Sequence, residues 1–199
     1  MITVIDYGAG NLRSIVNACK FLDYDVNLAE TPDAMDNAKK IILPGVGNFG
    51  DAMKSLSPFK KIIYEKIESN IPFLGICLGI QVIMDESEES PGSKGIGLFE
   101  GKCKKFRGVK VPHIGWNNIK IKKSDIPILK DINEDYFYFV HSYYPEVEDN
   151  DLIAAVTDYG VTFPSVIARD NVFACQFHPE KSGESGLKLL KNFLEYSGI

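Results

Sequence analysis

The feature of this 199-residue chain that most constrains its fold is the alternation of short apolar runs with amphipathic stretches in its first half. The apolar runs Ile2–Asp6, Val26–Ala29, Lys40–Leu43 and Pro72–Ile76 read as buried strands, and most are followed by helical periodicity. Strands that alternate with helices predict a central, mostly parallel sheet with helices on both faces.

The second half differs, because its apolar runs are short and turn residues separate most of them. These runs predict hairpins or mixed strands added to the sheet: Lys102–Phe106, Asn117–Ile121, Tyr136–Tyr143, Leu152–Thr157, Ser165–Arg169 and Val172–Phe177. An amphipathic helix is expected over Gly186–Tyr196, and a loop over Glu86–Lys94. With no internal repeat and no clear linker, we expect one α/β domain over residues 1–199.

Charge and composition narrow the class of protein. A net charge of −5 and a pI near 5.3 argue against nucleic acid or an anionic membrane as partner. The acid at position 6 argues against a secretory signal, and no apolar stretch approaches the roughly 20 residues that span a bilayer. The cysteines are scattered and the histidines lack zinc-ligand spacing, so we expect reduced thiols, a cytoplasmic protein and neither metal nor cofactor.

The strongest local signal is the pentapeptide Gly75-Ile-Cys-Leu-Gly79, at the end of a predicted strand and the start of a predicted helix. This is the nucleophile-elbow pattern with cysteine in place of serine. Side chains beside such a strained turn would clash with the neighbouring strand and helix, which explains the glycines. Cys77 is therefore the candidate nucleophile, and a buried structural cysteine in a tight turn is the alternative.

A thiol nucleophile requires a base, and that base works better when an acid orients it. Among the histidines, only His178 has an acid two residues away, and that acid is Glu180. In an extended segment such residues point to the same side, so the pair predicts a general base with its orienting carboxylate.

Acyl transfer also requires donors for an oxyanion. Pro44-Gly-Val-Gly47 ends a predicted parallel strand, so backbone N–H groups near Val46 can serve together with that of Leu78. The overlapping Gly45–Gly50 also matches the dinucleotide pattern G-x-G-x-x-G. It lies outside the first strand and lacks an acid ending a next strand roughly 20 residues later, so nucleotide binding is not expected.

Gly75-Ile-Cys-Leu-Gly-Ile-Gln81 with Phe177-His-Pro-Glu180 resembles the class I (triad) glutamine amidotransferases. Within that class, the chain is most similar to the glutaminase subunits of imidazole glycerol phosphate synthase, which act in histidine biosynthesis. The similarity spans the whole chain, and the blocks that narrow it occur in the family's order: Ile5–Leu12, Leu43–Gly47, Pro112–Asn117, Tyr138–Tyr143 and Phe177–Ser182.

The resemblance implies a flavodoxin-like fold and a Cys-His-Glu triad that hydrolyses L-glutamine. It also assigns roles by position. Gly47, Gln81, Glu89 and the backbone of Ser142 and Tyr143 would contact the substrate. The neighbouring acids Glu86 and Glu88 leave open which carboxylate meets the substrate ammonium.

The partner implied by the resemblance is a cyclase subunit with a (β/α)8-barrel fold, which would contact Tyr138 and Lys181 in a heterodimer. Ammonia would pass to this cyclase, which makes imidazole glycerol phosphate and AICAR from PRFAR. Three alternatives remain: a paralogue that feeds a nucleotide-sugar amidation enzyme, a cysteine peptidase or esterase, and a non-catalytic amidotransferase-like binding subunit.

Overall fold

The structure is a computed structural model that describes residues 1–133 and 135–198. Its strands, in chain order, are β1 Ile2–Ile5, β2 Val26–Ala29, β3 Lys40–Leu43, β4 Phe73–Ile76, β5 Glu86–Ser87, β6 Gly101–Lys105, β7 His113–Asn118, β8 Lys120–Ile121, β9 Tyr136–His141, β10 Tyr143–Val147, β11 Ile153–Asp158, β12 Thr162–Arg169 and β13 Val172–Cys175. Its α-helices are α1 Leu12–Phe21, α2 Phe49–Leu56, α3 Lys60–Glu68, α4 Leu78–Val82 and α5 Gly183–Glu195.

The central sheet has eight strands in the order β2-β1-β3-β4-β13-β12-β11-β8. Neighbours run parallel from β2 through β13, and the remaining strands pair antiparallel. Apolar side chains cover both faces of this sheet. Ile15 of α1 and Leu190 of α5 lie in one buried cluster, while Phe49 of α2 and Ile63 of α3 lie in the other. The predicted α/β class, with helices on both faces, is confirmed.

Two small sheets lie beside the central one: β10-β6-β5, and the antiparallel pair β7-β9. Two of the predicted strands are interrupted in the structure. The predicted Asn117–Ile121 is divided between β7 and β8, which belong to different sheets, with the fully buried Ile119 between them. The predicted Tyr136–Tyr143 breaks at Ser142, where the chain leaves β9 and enters β10.

Helix α2 was not predicted from the sequence. Asn48 caps this helix, and its side chain accepts hydrogen bonds from the N–H groups of Gly50 and Asp51. The glycines that resemble a dinucleotide fingerprint thus lead into a capped helix. The predicted loop Glu86–Lys94 contains the short β5, and the C-terminal helix begins at Gly183, earlier than expected.

The turn between β4 and α4 leaves no room for side chains at its glycines. A Cβ at Gly79 would overlap the carbonyl oxygen of Leu43, and one at Gly75 would lie 2.9 Å from the backbone of Gly79. Backbone atoms cannot move aside as a flexible side chain can. The steric explanation offered for the G-x-C-x-G pattern therefore holds in the structure.

We expect Gly79→Ala to lower the free energy of unfolding by about 1–3 kcal/mol, because overpacking against fixed backbone is destabilising. Gly108→Ala is the control, since its φ of +74° is strained but nothing lies within 4 Å of an added Cβ. Chemical denaturation of both variants makes the comparison. A smaller loss for Gly79→Ala than for Gly108→Ala would contradict the steric account.

Candidate active site

Cys77 lies between β4 and α4 with φ 56° and ψ −103°, a conformation that non-glycine residues rarely adopt. Strain of this kind persists only where the surrounding structure enforces it, and it concentrates at functional sites. Cys77 is 5% exposed, and its sulfur lies 3.8 Å from the carbonyl oxygen of Val140 and 4.0 Å from Nε2 of Gln176.

His178 and Glu180 form the contact that the sequence predicts. Nδ1 of His178 lies 2.9 Å from Oε1 of Glu180, and both side chains are almost fully buried. The expected extended geometry was wrong, because Pro179–Lys181 forms a 3-10 turn that begins with proline. This turn still brings the His178 and Glu180 side chains together, because His178 directly precedes it.

The His178 ring is oriented so that its second nitrogen is available. With Nδ1 held by Glu180, Nε2 is buried and has no hydrogen-bond partner among the described residues. Burial by itself lowers the pKa of His178, but the proximity of Cys77, together with that of Glu180, raises that pKa to about 10. The imidazolium is therefore stabilised when the neighbouring groups are anionic, as a base that takes a thiol proton requires.

The other histidines form a separate buried pair. Nδ1 of His113 lies 3.0 Å from Nε2 of His141, and Nδ1 of His141 lies 2.8 Å from the carbonyl oxygen of Tyr143. Burial lowers the pKa of His113 to about 4 and that of His141 to about 3, so both rings are neutral at pH 7. This chain of hydrogen bonds fixes the backbone where β9 meets β10.

Cys77 opens onto a cavity of about 290 Å³. All five residues expected to bind substrate line it, with both residues expected at the oxyanion hole: Val46, Gly47, Leu78, Gln81, Glu89, Ser142 and Tyr143. A more open groove of about 840 Å³ lies elsewhere, between Tyr64 and Lys102, and contains no cysteine.

Within the acidic loop, the structure distinguishes the three glutamates by position. Glu89 lines the cavity and accepts a 2.6 Å hydrogen bond from the N–H of Phe49, at the start of α2. Glu88 instead pairs with Arg107, and Glu86 pairs with Lys94. The amide of Gln81 is also fixed, since its Nε2 lies 2.9 Å from the carbonyl oxygen of Tyr143.

The two expected oxyanion donors do not both face the cavity. The N–H of Leu78 donates to the carbonyl oxygen of Gly45 at 3.3 Å. Because the C=O and N–H of a trans peptide point in opposite directions, the N–H of Val46 faces away from Leu78. The structure thus holds this peptide in a closed orientation, with a carbonyl where an oxyanion would need donors.

The expected partner contacts lie on and beside the β7-β9 pair. Tyr138 is half-buried, and one face of the pair exposes large apolar side chains: Ile114, Trp116 and Tyr136 are 59%, 56% and 62% exposed. Lys181 is exposed at the end of the 3-10 turn. The carbonyl oxygen of Tyr138 accepts a 2.9 Å hydrogen bond from the N–H of His178, so this surface is one peptide group away from the candidate base.

Comparison with known proteins identifies the family of this chain. The family model of class I glutamine amidotransferases matches residues 3–196. The chain belongs to this family. Imidazole glycerol phosphate synthase subunit HisH of Methanocaldococcus jannaschii is 53% identical over 98% of this chain and 99% of its own length. The subunit of the same name from Caldanaerobacter subterraneus is 50% identical over 98% of each chain.

Solved structures share the fold. PurLQS from Thermotoga maritima matches with a TM-score of 0.79 at 20% identity, over 98% of this chain and 97% of that chain. A crystal structure of a glutamine amidotransferase matches over the full length of both chains, with a TM-score of 0.76 at 18% identity. The predicted single-domain class I amidotransferase fold is thereby confirmed.

Some residues that line the cavity or pack against the elbow were not predicted as site residues from the sequence. Pro112, Val140 and His141 line the cavity, and Tyr7 packs against Gly45. The signal was present, because each belongs to one of the sequence blocks shared with the family. In residues 1–133 and 135–198, no helix is long and apolar enough to cross a membrane, and no group of three potential ligands is placed to bind a metal ion.

The neutral histidine pair predicts a pH dependence of stability. An unfolded histidine titrates near pH 6.5, so between about pH 6.5 and 4 the unfolded chain binds more protons than the folded one. The free energy of unfolding should then fall as pH falls, by up to about 1.4 kcal/mol per pH unit for each histidine. His178 interacts with Cys77 and Glu180, and its contribution is common to the two proteins compared below, so it cancels.

Chemical denaturation of the chain and of His113→Gln, from pH 7.5 down to pH 4.5, tests this expectation. The variant should be less stable at pH 7 but lose stability less steeply on acidification. Carboxylates titrate similarly in both proteins and cancel in the comparison. Parallel pH profiles would show that folding does not lower the pKa of His113.

Proposed function

We propose that this chain is the glutaminase subunit of an imidazole glycerol phosphate synthase. It hydrolyses glutamine to glutamate and supplies ammonia to a cyclase subunit. The observation that carries the proposal is the unpaired Nε2 of His178, oriented by Glu180 and buried beside the strained Cys77. The relatives named as HisH, which match over nearly their full length, support the pathway.

In the reaction we propose, Nε2 of His178 takes the thiol proton and the Cys77 sulfur attacks the side-chain amide carbon of glutamine. The tetrahedral oxyanion is stabilised by the N–H groups of Leu78 and Val46. His178 then protonates the leaving nitrogen, ammonia departs, and a glutamyl thioester remains. Water, deprotonated by His178, hydrolyses that thioester and restores the thiol.

The cavity suits a small zwitterion. Its volume of about 290 Å³ is at the lower limit for ligand pockets, which argues against a peptide or a large acyl group. We assign the α-ammonium of the substrate to the Glu89 carboxylate, which lines the cavity and accepts from the N–H of Phe49. The backbone at Ser142 and Tyr143 is assigned the α-carboxylate, and Gly47 and Gln81 complete the walls.

The proposed partner is a cyclase with a (β/α)8-barrel fold, docked over the cavity mouth. We call the exposed face formed by Ile114, Trp116, Tyr136 and Tyr138 the docking surface. Large apolar side chains exposed together are characteristic of protein interfaces. Lys181 ends the Pro179–Lys181 turn that carries Glu180, so a contact there acts on the candidate base through the backbone.

The first test is Cys77→Ala in the complex with the cyclase. Glutamine-dependent synthesis should fall to background, because the nucleophile is gone, whereas synthesis from added ammonium salt should persist. Cys19→Ala is the control: Cys19 is also buried but lies within α1, so its replacement should affect stability only. Full glutamine turnover by the Cys77→Ala complex would refute the assignment.

The second test concerns partner activation. Because the oxyanion peptide is closed, the isolated chain should hydrolyse glutamine slowly, and the cyclase with its nucleotide ligand should accelerate it by at least about 10-fold. Lys181→Ala should reduce this stimulation while nearly preserving the basal rate. Lys188→Ala on α5, also exposed, should behave as the unaltered chain does.

Trp116 reports docking directly, since it is the chain's only tryptophan and is 56% exposed. Binding of the cyclase should bury the indole and shift its emission to shorter wavelength, measured with a tryptophan-free cyclase. Stimulated glutaminase without any change in this emission would place the partner elsewhere. Equal rates for the isolated chain, the complex and the liganded complex would exclude activation.

A further inference from the structure

Tyr7 carries a buried polar group that the mechanism above does not use. The residue follows β1, its side chain lies in the core cluster on the α2 and α3 face, and it is 6% exposed. Its hydroxyl has no hydrogen-bond partner among the described residues. An unpaired buried hydroxyl is costly, so such an atom suggests a partner that is absent in this conformation.

The hydroxyl lies beside the peptide that closes the oxyanion site. A Cβ built on Gly45 would overlap the Tyr7 hydroxyl on one side and come within 2.8 Å of Cβ of Leu78 on the other. Tyr7 is therefore packed directly on the α-carbon of Gly45. Burial, and after it the charge of Cys77, raises the pKa of Tyr7, so the hydroxyl keeps its proton and remains a donor at neutral pH.

In the closed orientation the Gly45 carbonyl has a hydrogen-bond partner. It accepts from the N–H of Leu78, the donor that the oxyanion would need. For the N–H groups of Leu78 and Val46 to face the oxyanion together, the peptide must rotate and the carbonyl must leave Leu78. A buried carbonyl that loses its donor needs another one nearby.

We propose that Tyr7 is a positioning residue whose hydroxyl donates to the Gly45 carbonyl once the Gly45–Val46 peptide has rotated to open the oxyanion site. The unpaired donor and the displaced acceptor then satisfy each other in the active orientation only. Tyr7 thereby shifts the equilibrium between the closed and open peptide toward the open one. This inference rests on the proposed glutaminase function and deepens it.

The test is Tyr7→Phe, which removes the hydroxyl and leaves the ring. In the complex with cyclase and its ligand, kcat for glutamine hydrolysis should fall roughly 3- to 10-fold, the effect of one neutral hydrogen bond. KM for glutamine should change less than about twofold, because the hydroxyl makes no substrate contact. The melting temperature should stay equal or rise, since the lost hydroxyl was unpaired in the closed state.

Two controls separate this role from a general disturbance. Thr3→Val, in β1, also removes a buried hydroxyl without a partner, and it should leave kcat unchanged. Alkylation of Cys77 by iodoacetamide, followed by mass spectrometry, displaces iodide without forming an oxyanion. Its rate should be the same in Tyr7→Phe as in the unaltered chain.

The outcomes are distinct. If the unaltered complex does not hydrolyse glutamine, the proposed function itself fails. If that complex is active and Tyr7→Phe retains its kcat, only the role of Tyr7 fails. A fall in kcat accompanied by a matching fall in Cys77 alkylation or in melting temperature would also overturn it, because the residue would then be supporting the elbow as a whole.

Discussion

The site depends on the parallel pairing of β4 with β13, strands that are about 100 residues apart in the chain. In this register Ile76 lies opposite Cys175, so the residues that follow each strand leave the sheet side by side. Those residues are Cys77 on one strand and Gln176–Glu180 on the other. Because β3 pairs with the opposite edge of β4, the Pro44–Gly47 segment emerges at the same end of the sheet.

That pairing brings backbone segments close together, which is why the elbow has no room for side chains at Gly75 and Gly79. The N–H of Cys77 donates to the carbonyl oxygen of Cys175 at 2.9 Å, which anchors the elbow to the strand that carries the histidine. Gly79 packs against the carbonyl of Leu43, which anchors it to the strand that carries the oxyanion segment. One strained residue is thus fixed from both sides, and its thiol position follows from the sheet.

Much of the site could be predicted because its chemistry is local in sequence. The elbow and the His178–Glu180 contact each lie within five residues, and their spacing alone indicates a nucleophile and an oriented base. The pairing of β4 with β13 could not be predicted from local spacing, since only the tertiary fold decides which strand lies beside β4. The helix α2 was hidden because Gly45, Gly47 and Gly50 resemble a phosphate-binding loop, although Asn48 is a good capping residue.

The closed orientation of the Gly45–Val46 peptide also could not be predicted from the sequence. Flanking glycines indicate that the peptide at Val46 can rotate, but not which orientation the folded chain prefers. The preference follows from a contact between segments more than 30 residues apart, the hydrogen bond from Leu78 to Gly45. Choosing between Glu86, Glu88 and Glu89 likewise required Arg107 and Lys94, whose positions depend on the small sheet around β6.

In the proposed mechanism, these contacts allow an inactive resting state and a rigid Cys-His-Glu triad to coexist in one small domain. His178 and Glu180 are buried and fixed, so reorganising them for each turnover would require breaking a charged hydrogen bond. The Gly45–Val46 peptide exchanges one neutral hydrogen bond for another, and it requires no movement of the sheet. The Gly45–Val46 peptide is therefore the better point of regulation. A free-energy difference of about 1–3 kcal/mol between its two orientations is enough to change which one is populated. The proposed triad residues, which follow β4 and β13, need not move.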